Sequence, residues 1–484
     1  MPETEDVFVA GCWIDGREIS TAERWIVENP AGRLAVAEVA VAGEKEVAQA
    51  VASAEGAFRK WRMTDADYRA GVLKRWAELL RKSADQLADL VCTEVGKPIL
   101  AARYEVESAA SFLDYCSSEA TKLLGRITGF PAGLGGYMIV REPVGVCAVI
   151  TPYNYPLSTF ITKVGPAIAV GCTVVVKPDE HTPCATLLAA RLAQEAGLYR
   201  GVLNVVCGPG EKTGRFLIDH PSVRLISFTG STVVGKEIIA RASRGVKRLV
   251  LELGGNCPAI IADDASWEGH LNGIVNQTFK NSGQYCYRIT RLIVHESIYK
   301  DFVEAFVEAT KKLRVGDPRD KQTDLGPLNN VRIYQRFREQ VCRLIERGAR
   351  ILCGAVPPEN PENGYYCVPI VMDNVPADAR IAEEEFFGPI AFIDSYRFFD
   401  DALMLANRTP FGLAAYIFTQ DLKKAYRWAS MLEAGSVWIN CIHQARFDAP
   451  FGGYKQSGIG REKSRFGFEE FTELKTVYLS MDEE

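Results

Sequence analysis

The stretch LISFTGSTVVG, residues 225–235, decides the fold of this 484-residue chain. An apolar, strand-like run ends in a glycine turn, and a helical pattern follows directly. In such a unit the free N–H groups of the first helical turn point beyond the end of the strand, where they attract phosphate groups. Tight packing of the helix explains the glycines equally well, so the stretch predicts a strand, a turn and a helix and leaves their purpose open.

The same unit recurs along the chain. Four further short apolar runs alternate with helical patterns: GVCAVITP (145–152), TVVVKP (173–178), VLNVVCG (202–208) and LVLELGG (249–255). Strands that alternate with crossover helices predict a parallel sheet whose ligands lie at the carboxyl edge. Upstream, residues 46–100 place apolar side chains three and four apart among charges, which is typical of amphipathic surface helices.

A second series of alternating patterns predicts a second α/β domain. It contains ITRLIVHES (289–297), the helical YKDFVEAFVEATKKLR (299–314), AFIDSY (391–396) and AAYIFT (414–419). Two segments stand apart from both series, GRITGFPAGLGGYMIVREPVG (125–145) and EEFTELKTVYLSM (469–481). Both have strand character and need a partner sheet. Another subunit often covers such edges, so we expect a homo-oligomer, with cover from within the chain as the alternative.

Composition narrows the class of function. The chain is 47% hydrophobic and 24% charged with a formal charge of -5, which is ordinary for a globular protein of more than one domain. Basic residues form no long block, so a small molecule is favoured over nucleic acid or a membrane surface as partner. The N-terminus has no basic start with an apolar run, and no segment approaches the roughly 20 apolar residues that span a bilayer, so neither export nor insertion is expected.

Cysteine and histidine usage indicates metal-free chemistry in a reducing compartment. Thirteen cysteines, an odd number without CxxC pairs, argue against a disulfide framework and a zinc cluster and favour a cytoplasmic location. The five histidines are scattered along the chain, which makes a histidine-rich metal site improbable.

Polar residues at the end of the TVVVKP run point to a dinucleotide. Glu180 lies three residues past Lys177, and a carboxylate there would accept both hydroxyls of an adenosine ribose and repel a 2′-phosphate. This favours NAD over NADP. A solvated loop acid is the competing interpretation.

Three further residues carry candidate chemistry. Glu252 leaves a buried strand for a glycine turn, where a raised pKa would suit a general base, unless it forms a structural salt bridge. The amide of Asn154 would stabilise an oxyanion or cap a turn. Cys286, in KNSGQYCYRIT (280–290), follows a helical run and precedes a strand, where loops carry chemistry. Most unpaired cysteines are small buried hydrophobes, so its role depends on these neighbours.

Seven motifs in order resemble the aldehyde dehydrogenase superfamily: TPYNYP, VVVKPDE, FTGS, LELGG, NSGQYC, EEFFGP and APFGGYKQSGIGRE. The resemblance runs from about residue 7 to 480. It implies an α/β fold with a Rossmann-type NAD-binding domain (1–120 and 142–253) and an α/β catalytic domain (254–454). It also implies a small β segment (121–141 and 455–484) that joins subunits into dimers or tetramers.

The resemblance also assigns catalytic roles. Cys286 is the nucleophile whose thiolate, stabilised by a polar pocket, adds to the aldehyde carbon. The oxyanion accepts N–H bonds from the Asn154 side chain and the Cys286 backbone, and the nicotinamide accepts the hydride. Glu252 then activates the water that releases the acid. Lys177 joins the catalytic set as well as the cofactor set, and Glu462 is assigned to proton movement.

For the cofactor, the resemblance places Lys177 and Glu180 at the adenosine ribose, Ser231 at the pyrophosphate and Glu385 at the nicotinamide ribose. The full implied set is Ile150, Thr151, Pro152, Tyr153, Lys177, Glu180, Gly210, Gly214, Thr229, Gly230, Ser231, Gly235, Leu253, Gly254, Glu385 and Phe387. No metal is expected.

Two departures from the family pattern bear on the substrate. Asn256 stands where many relatives carry lysine, which leaves the base intact. The segment 441–449, CIHQARFDA, is unusually polar for a substrate-facing loop. Arg446, His443 or Lys280 would there meet an anionic group, which predicts a small semialdehyde. The alternative is that Arg446 and Lys280 are solvated surface charges.

Two other functions stay open. A coenzyme A-acylating enzyme replaces water with a thiol and dispenses with a carboxylate base, so Glu252 argues against it. A binding or structural protein that keeps the fold without activity is the second, since fold does not fix function. Asn154, Glu252 and Cys286 together argue against that alternative.

Overall fold

Five β-sheets and the helices around them are found in the described residues of the chain. The computed structural model describes residues 8–128, 135–376, 381–444 and 446–480. The strands are β1 Phe8–Ala10, β2 Cys12–Ile14, β3 Arg17–Ile19, β4 Arg24–Asn29, β5 Leu34–Ala40, β6 Arg126–Ile127, β7 Gly136–Pro143, β8 Val146–Ile150, β9 Thr173–Lys177, β10 Leu203–Val205, β11 Val223–Thr229, β12 Arg248–Glu252, β13 Cys257–Ile261, β14 Ile289–His295, β15 Arg350–Cys353, β16 Ile370–Asp373, β17 Ile390–Tyr396, β18 Phe411–Gly412, β19 Ala414–Phe418, β20 Ser436–Ile439, β21 Tyr454–Lys455, β22 Gly458–Ile459 and β23 Thr472–Leu479. Two of the five sheets are the three-stranded β1-β5-β4 and the two-stranded β18-β21.

Fourteen α-helices are found in the described ranges. They are α1 Glu44–Trp61, α2 Ala66–Lys82, α3 Ala84–Val95, α4 Ile99–Glu119, α5 Pro156–Val170, α6 Cys184–Glu195, α7 Arg215–Asp219, α8 Thr232–Ala242, α9 Trp267–Phe279, α10 Tyr299–Lys311, α11 Val331–Glu346, α12 Phe399–Asn407, α13 Leu422–Met431 and α14 Ser464–Glu470. Within the described residues no helix is long and apolar enough to cross a bilayer.

The first sheet has eight strands in the order β22-β12-β11-β8-β9-β10-β2-β3, and its five central strands from β12 to β10 are parallel. This confirms the parallel sheet predicted from the alternating patterns. The register places Glu252 beside Thr229 and Ile150 beside Lys177. Since parallel strands end at the same edge, these polar residues lie together there.

The second sheet has seven strands in the order β15-β16-β17-β14-β13-β19-β20, all parallel except β15. The connection between the sheets is short, because β12 ends at Glu252 and β13 begins at Cys257. Glu252 therefore lies where one sheet passes into the other. The division into domains at 253 and 454 stays a prediction.

The N-terminal helices cover the first sheet with their apolar faces, as their spacing predicts. Trp61 and Trp76 are fully buried, and each indole N–H donates to a backbone carbonyl, of Ile168 at 3.1 Å and of Ala189 at 2.9 Å. A buried indole usually finds such an acceptor, because an unpaired N–H in the core is costly. These contacts fix α1 and α2 against the helices that flank the strand ends.

The two stray segments pair with each other in a third sheet, β23-β7-β6. Residues 136–143 run antiparallel to residues 472–479 over eight aligned pairs, so each segment covers one edge of the other. The two faces of this sheet together keep five exposed apolar side chains, which are Ile127, Tyr137, Leu474, Tyr478 and Leu479. Residues 129–134 of the predicted bridging segment lie outside the described ranges.

Candidate active site

Cys286 lies in the loop between α9 and β14, as its position in the sequence predicts. Two residues of this loop, Asn281 and Ser282, have φ of 53° and 56°, and Gly283 follows at 72°. A Cβ at Gly283 would lie 2.1 Å from the carbonyl oxygen of Gly388, so only glycine fits there. The loop is thereby held tightly and presents a partly buried thiol.

Asn154 is held beside this loop by a buried hydrogen-bond network. Its Nδ2 donates to the carbonyl of Gln284 at 2.9 Å, which fixes one amide N–H and leaves the second for a ligand. The backbone carbonyl of Asn154 accepts hydrogen bonds from Lys97 Nζ at 2.8 Å and from Asn281 Nδ2 at 3.3 Å. Lys97 is ion-paired with Glu105, which also accepts the backbone N–H of the first turn of α5. The amide is therefore fixed relative to the thiol loop.

Glu252 ends β12 with a buried carboxylate. Neither of its oxygens has a hydrogen-bond partner among the described residues. Burial, followed by the charge of Glu462, raises the pKa of Glu252 well above its usual value. Glu462 itself is ion-paired with Lys163, which also donates to Ser227 Oγ at 3.2 Å. A buried carboxyl with free oxygens and a raised pKa is equipped to take a proton from water.

The thiol differs from the expectation of a thiolate-stabilising pocket. Burial, followed by the charges of Glu385, Cys257 and Glu252, raises the pKa of Cys286 well above its ordinary value. The physical reason is that the pocket surrounds the sulfur with acidic groups and apolar walls. The protein alone therefore favours the neutral thiol, and a nearby positive charge is needed to favour the thiolate.

The carboxyl edge of the first sheet brings together the polar groups predicted to bind a dinucleotide. Lys177 Nζ donates to Glu180 Oε2 at 2.7 Å at the end of β9, and Ser231 caps α8 by accepting from the N–H of Val234 at 3.4 Å. Buried side-chain atoms without a partner in the described residues lie at this edge, on Thr151 Oγ1, Tyr153 OH and Thr229 Oγ1. Because buried polar groups are normally satisfied, these orphans indicate a polar ligand.

The other predicted cofactor residues line the same region. Ile150 and Pro152 flank Thr151 after β8, and Gly210 and Gly214 bound a short helical turn before α7. The ring centroids of Tyr153 and Phe387 lie 6.1 Å apart, and a Cβ at Gly254 would lie 3.0 Å from Glu385 Oε2. At Gly235 a Cβ would lie 2.5 Å from Leu253, and at Gly230 it would lie 2.3 Å from the Phe228 ring, so both glycines also serve close packing.

Asn256 positions the segment that carries Glu385. Its Nδ2 donates to the carbonyls of Ile381 and Glu384 at 2.5 and 2.7 Å, and its Oδ1 accepts from Arg291 Nε at 2.8 Å. Glu385 in turn accepts the N–H of Gly255 at 3.0 Å. Asn256, which stands where many relatives carry lysine, therefore has a hydrogen-bonding role.

The three predicted substrate contacts lie in different surroundings. The Lys280 ammonium lies 4.2 Å from the Tyr285 ring centroid, and burial lowers the pKa of Lys280 to about 8. His443 Nδ1 is 2.9 Å from Tyr285 OH, and burial lowers the pKa of His443 to about 2, so the imidazole is neutral. Arg446 is exposed and forms an ion pair with Asp448 at 3.1 Å. Arg446 lines the same pocket as His443, and Lys280 is the one of the three that carries a cation without an ion pair among the described residues.

Several residues of the site carry no motif that predicts their place. Lys97, Glu105 and Lys163 come from helical stretches, and only Lys163 gives a signal, as a lone charge in the apolar helix α5. Lys463 lines the substrate pocket with Tyr287, Trp438, His443 and Phe451, and nothing in the sequence marks it. Buried charges of this kind depend on distant partners and are invisible to local patterns.

Comparison with known proteins agrees with this geometry. The model of the aldehyde dehydrogenase family matches residues 13–477. The mitochondrial succinate-semialdehyde dehydrogenase of Oryza sativa is 40% identical, with 97% of this chain and 88% of that protein covered. The NADP(+)-dependent succinate-semialdehyde dehydrogenase of Escherichia coli is 37% identical, with 99% and 98% covered. A crystal structure of Staphylococcus aureus betaine aldehyde dehydrogenase with NAD+ superposes with a TM-score of 0.95 at 32% identity, with 98% and 96% covered.

The family match spans almost the whole described chain, and it coincides with a site that holds a thiol, an amide and a free carboxylate beside the polar groups predicted to bind a dinucleotide. The chain belongs to the aldehyde dehydrogenase family, and it is an NAD(P)-dependent oxidoreductase that oxidises an aldehyde to the carboxylic acid.

Proposed function

We propose that the substrate is a small anionic aldehyde of the semialdehyde class and that NAD is the preferred cofactor. The observation that carries the substrate assignment is Lys280, six residues before the nucleophile. Its half-buried side chain places the ammonium over Tyr285, where it acts electrostatically on Cys286 and forms no ion pair or hydrogen bond among the described residues. An unpaired buried cation is costly unless a ligand supplies the counter-charge. Two relatives named as succinate-semialdehyde dehydrogenases support the same class.

The first half of the reaction is assigned to Cys286 and Asn154. The Cys286 thiol first releases its proton to solvent, and the thiolate then adds to the aldehyde carbon so that the carbonyl oxygen becomes an oxyanion. The second Asn154 N–H and the Cys286 backbone N–H donate to that oxyanion, and the network from Lys97 keeps the amide in place without reorganisation. The nicotinamide, when bound, accepts the hydride that leaves this hemithioacetal.

The second half is assigned to Glu252. After hydride transfer the acyl group remains on Cys286 as a thioester, and its hydrolysis needs a water molecule to lose a proton. When ionised, Glu252 accepts that proton through its free oxygens, and its raised pKa makes the carboxylate a stronger base. A coenzyme A-acylating enzyme needs no such base, so this residue argues for acid release. Glu462 and Lys163, paired behind Glu252, are proposed to take up and return the proton.

The cofactor assignment rests on the polar groups at the carboxyl edge of the first sheet. Lys177 and Glu180 are proposed to hold the adenosine ribose, Ser231 the pyrophosphate and Glu385 the nicotinamide ribose. The Glu180 carboxylate favours NAD because it accepts ribose hydroxyls and repels a 2′-phosphate. One relative uses NADP and another structure holds NAD, so the choice depends on this chain's own residue.

Replacing Glu180 tests the cofactor preference. In Glu180→Ser the ratio of kcat/KM for NAD to that for NADP should fall by about 10-fold or more, because the repulsive charge is removed. The measurement is steady-state kinetics with both cofactors at a fixed aldehyde concentration. Asp179→Asn is the matched control, since it removes the same charge from a side chain paired with His181 at 2.8 Å. An unchanged ratio in Glu180→Ser would refute the assignment.

A pair of aldehydes tests the substrate class. Succinate semialdehyde and its uncharged counterpart methyl 4-oxobutanoate differ in the carboxylate, and kcat/KM for the anion should be about 10-fold higher or more. In Lys280→Met this preference should shrink, because one positive charge has left the pocket. If the wild-type enzyme oxidises the ester as well as the acid, the anionic class is wrong.

The chain is further proposed to form a homo-oligomer in the cytoplasm. The exposed apolar side chains of the third sheet favour a homodimer or homotetramer joined through that sheet. All thirteen cysteines are free thiols, which favours the reducing cytoplasm. The boundaries 1–120 with 142–253, 254–454, and 121–141 with 455–484 are proposed as the functional division of the chain.

A further inference from the structure

Lys463 is a positive charge in the wall of a pocket that is also lined by Tyr287, the residue after the nucleophile. The pocket is open to solvent, and its walls include Tyr287, Trp438, His443, Phe451 and Arg446. The Lys463 ammonium lies 5.2 Å from the centroid of the Phe451 ring. His443 stays neutral, so an aromatic pocket contains an ammonium group at one side.

The acidic residues around Lys463 are ion-paired with other residues or form no ion pair with it. Glu462 pairs with Lys163, and Asp448 pairs with Arg446. Glu252 makes no ion pair within the described residues, and its carboxyl favours the neutral form. Lys463 itself forms no ion pair or hydrogen bond through its ammonium in the part of the chain that the structure describes. Glu462, Cys286 and Glu252 act on its charge without an ion pair or hydrogen bond, so a bound anion would be its first direct partner.

The backbone holds Lys463 in place at a cost. Its φ and ψ are 58° and 179°, a conformation that is nearly restricted to glycine. The preceding residue is pinned by two hydrogen bonds, from the Phe451 N–H to the Glu462 carbonyl at 2.8 Å and from the Glu462 N–H to the Phe451 carbonyl at 2.7 Å. Ser464 N–H donates to the Phe447 carbonyl at 2.7 Å on the other side. A strained lysine fixed on both sides is a feature that function explains better than stability.

Lys463 and Lys280 lie at opposite ends of one row of rings. Lys280 lies over the Tyr285 ring, and the centroids of Tyr285 and Tyr287 are 4.1 Å apart. The Tyr287 centroid is 5.1 Å from that of Phe451, and Lys463 lies over the Phe451 ring. Of these two lysines, only Lys463 is among the residues that line the open pocket. Arg446 lines the pocket as well, but it is ion-paired with Asp448, so Lys463 is the cation without an ion pair that an entering aldehyde meets.

We propose that Lys463 binds the anionic group of the aldehyde, a carboxylate or a sulfonate, and is the main residue that selects charged over uncharged substrates. This inference rests on the proposed anionic substrate class and adds the residue that recognises it. An ammonium on a flexible stem is a point charge with three donors, so it accepts either anion without a fixed fork geometry.

Variants at position 463 test the assignment with succinate semialdehyde and methyl 4-oxobutanoate. Lys463→Gly removes the charge and also relieves the strained backbone, so loss of folding is not the expected cause of any defect. In Lys463→Gly and Lys463→Met, kcat/KM for the acid should fall by about 10- to 100-fold, chiefly through KM, while the value for the ester stays within about 3-fold. Lys463→Arg should restore most of the preference.

Three outcomes would overturn the proposal, and they differ in whether the anionic substrate class is refuted as well. If the wild type does not prefer the acid over the ester, the anionic substrate class fails and this inference fails with it. If the wild type prefers the acid and Lys463→Gly keeps that preference, the class stands and the assignment to Lys463 is wrong. If both substrates lose kcat/KM equally in Lys463→Gly and Lys463→Met, the lysine acts on the chemistry and not on recognition.

Discussion

Cys286→Ala should lower kcat for aldehyde oxidation by about 10⁴-fold or more, because removal of the nucleophile removes the covalent route and no other thiol replaces it. The alanine fits where the sulfur was, so the polar groups that hold the dinucleotide stay in place. NAD binding, measured by calorimetry or by fluorescence quenching, should change by less than about 3-fold. The measurement therefore separates chemistry from cofactor binding in one variant.

The matched control for this experiment is Cys342→Ala. Cys342 is partly buried like Cys286 but lies on α11, and its removal should leave kcat unchanged. Iodoacetamide labelling followed by mass spectrometry should modify Cys286 faster as the pH rises, because the raised pKa of Cys286 keeps the thiol neutral at lower pH. Retained oxidation by Cys286→Ala, or a loss of NAD binding in that variant, would refute the division of roles.

Much of the fold follows from local patterns in this sequence. Each central strand of the first sheet is a short apolar run that ends in a polar or glycine turn, and residues 223–235 contain the strand, the turn and the helix start in direct succession. Such signals depend only on neighbours along the chain, so they predict elements well. The strand ends then bring Glu252, Lys177 and Asn154 to one edge by geometry alone.

Two features escaped prediction for opposite reasons. The hairpin of β2 and β3 was missed although Asp15 and Gly16, with φ of 52° and 68°, form the Asp-Gly turn that is typical of such hairpins. The ion pair of Lys97 and Glu105 had no available signal, because its role depends on Asn154, which lies about 50 residues further along the chain. The raised pKa of Cys286 likewise depends on charges brought together only in the folded chain.

Glu252→Gln should leave hydride transfer fast and make hydrolysis of the thioester slow. The amide keeps the shape of the carboxyl but does not accept a proton, so deacylation should slow by about 10²- to 10⁴-fold. The stopped-flow experiment uses an enzyme concentration at which one equivalent of NADH is measurable. The variant should release a burst of NADH close to one equivalent per subunit, followed by a slow steady state. Absence of a burst would show that Glu252 acts before the thioester forms.

The pH dependence of the slow phase distinguishes a base from a merely structural carboxyl. Because the pKa of Glu252 is raised by burial and by Glu462, the wild-type deacylation rate should rise with pH until the carboxyl is ionised, and Glu252→Gln should lose that rise. Added hydroxylamine attacks the thioester without a protein base, so it should restore turnover in Glu252→Gln if the acyl group accumulates. Failure of hydroxylamine to do so, despite a burst, would place the block in product or cofactor release and remove Glu252 from the hydrolytic step.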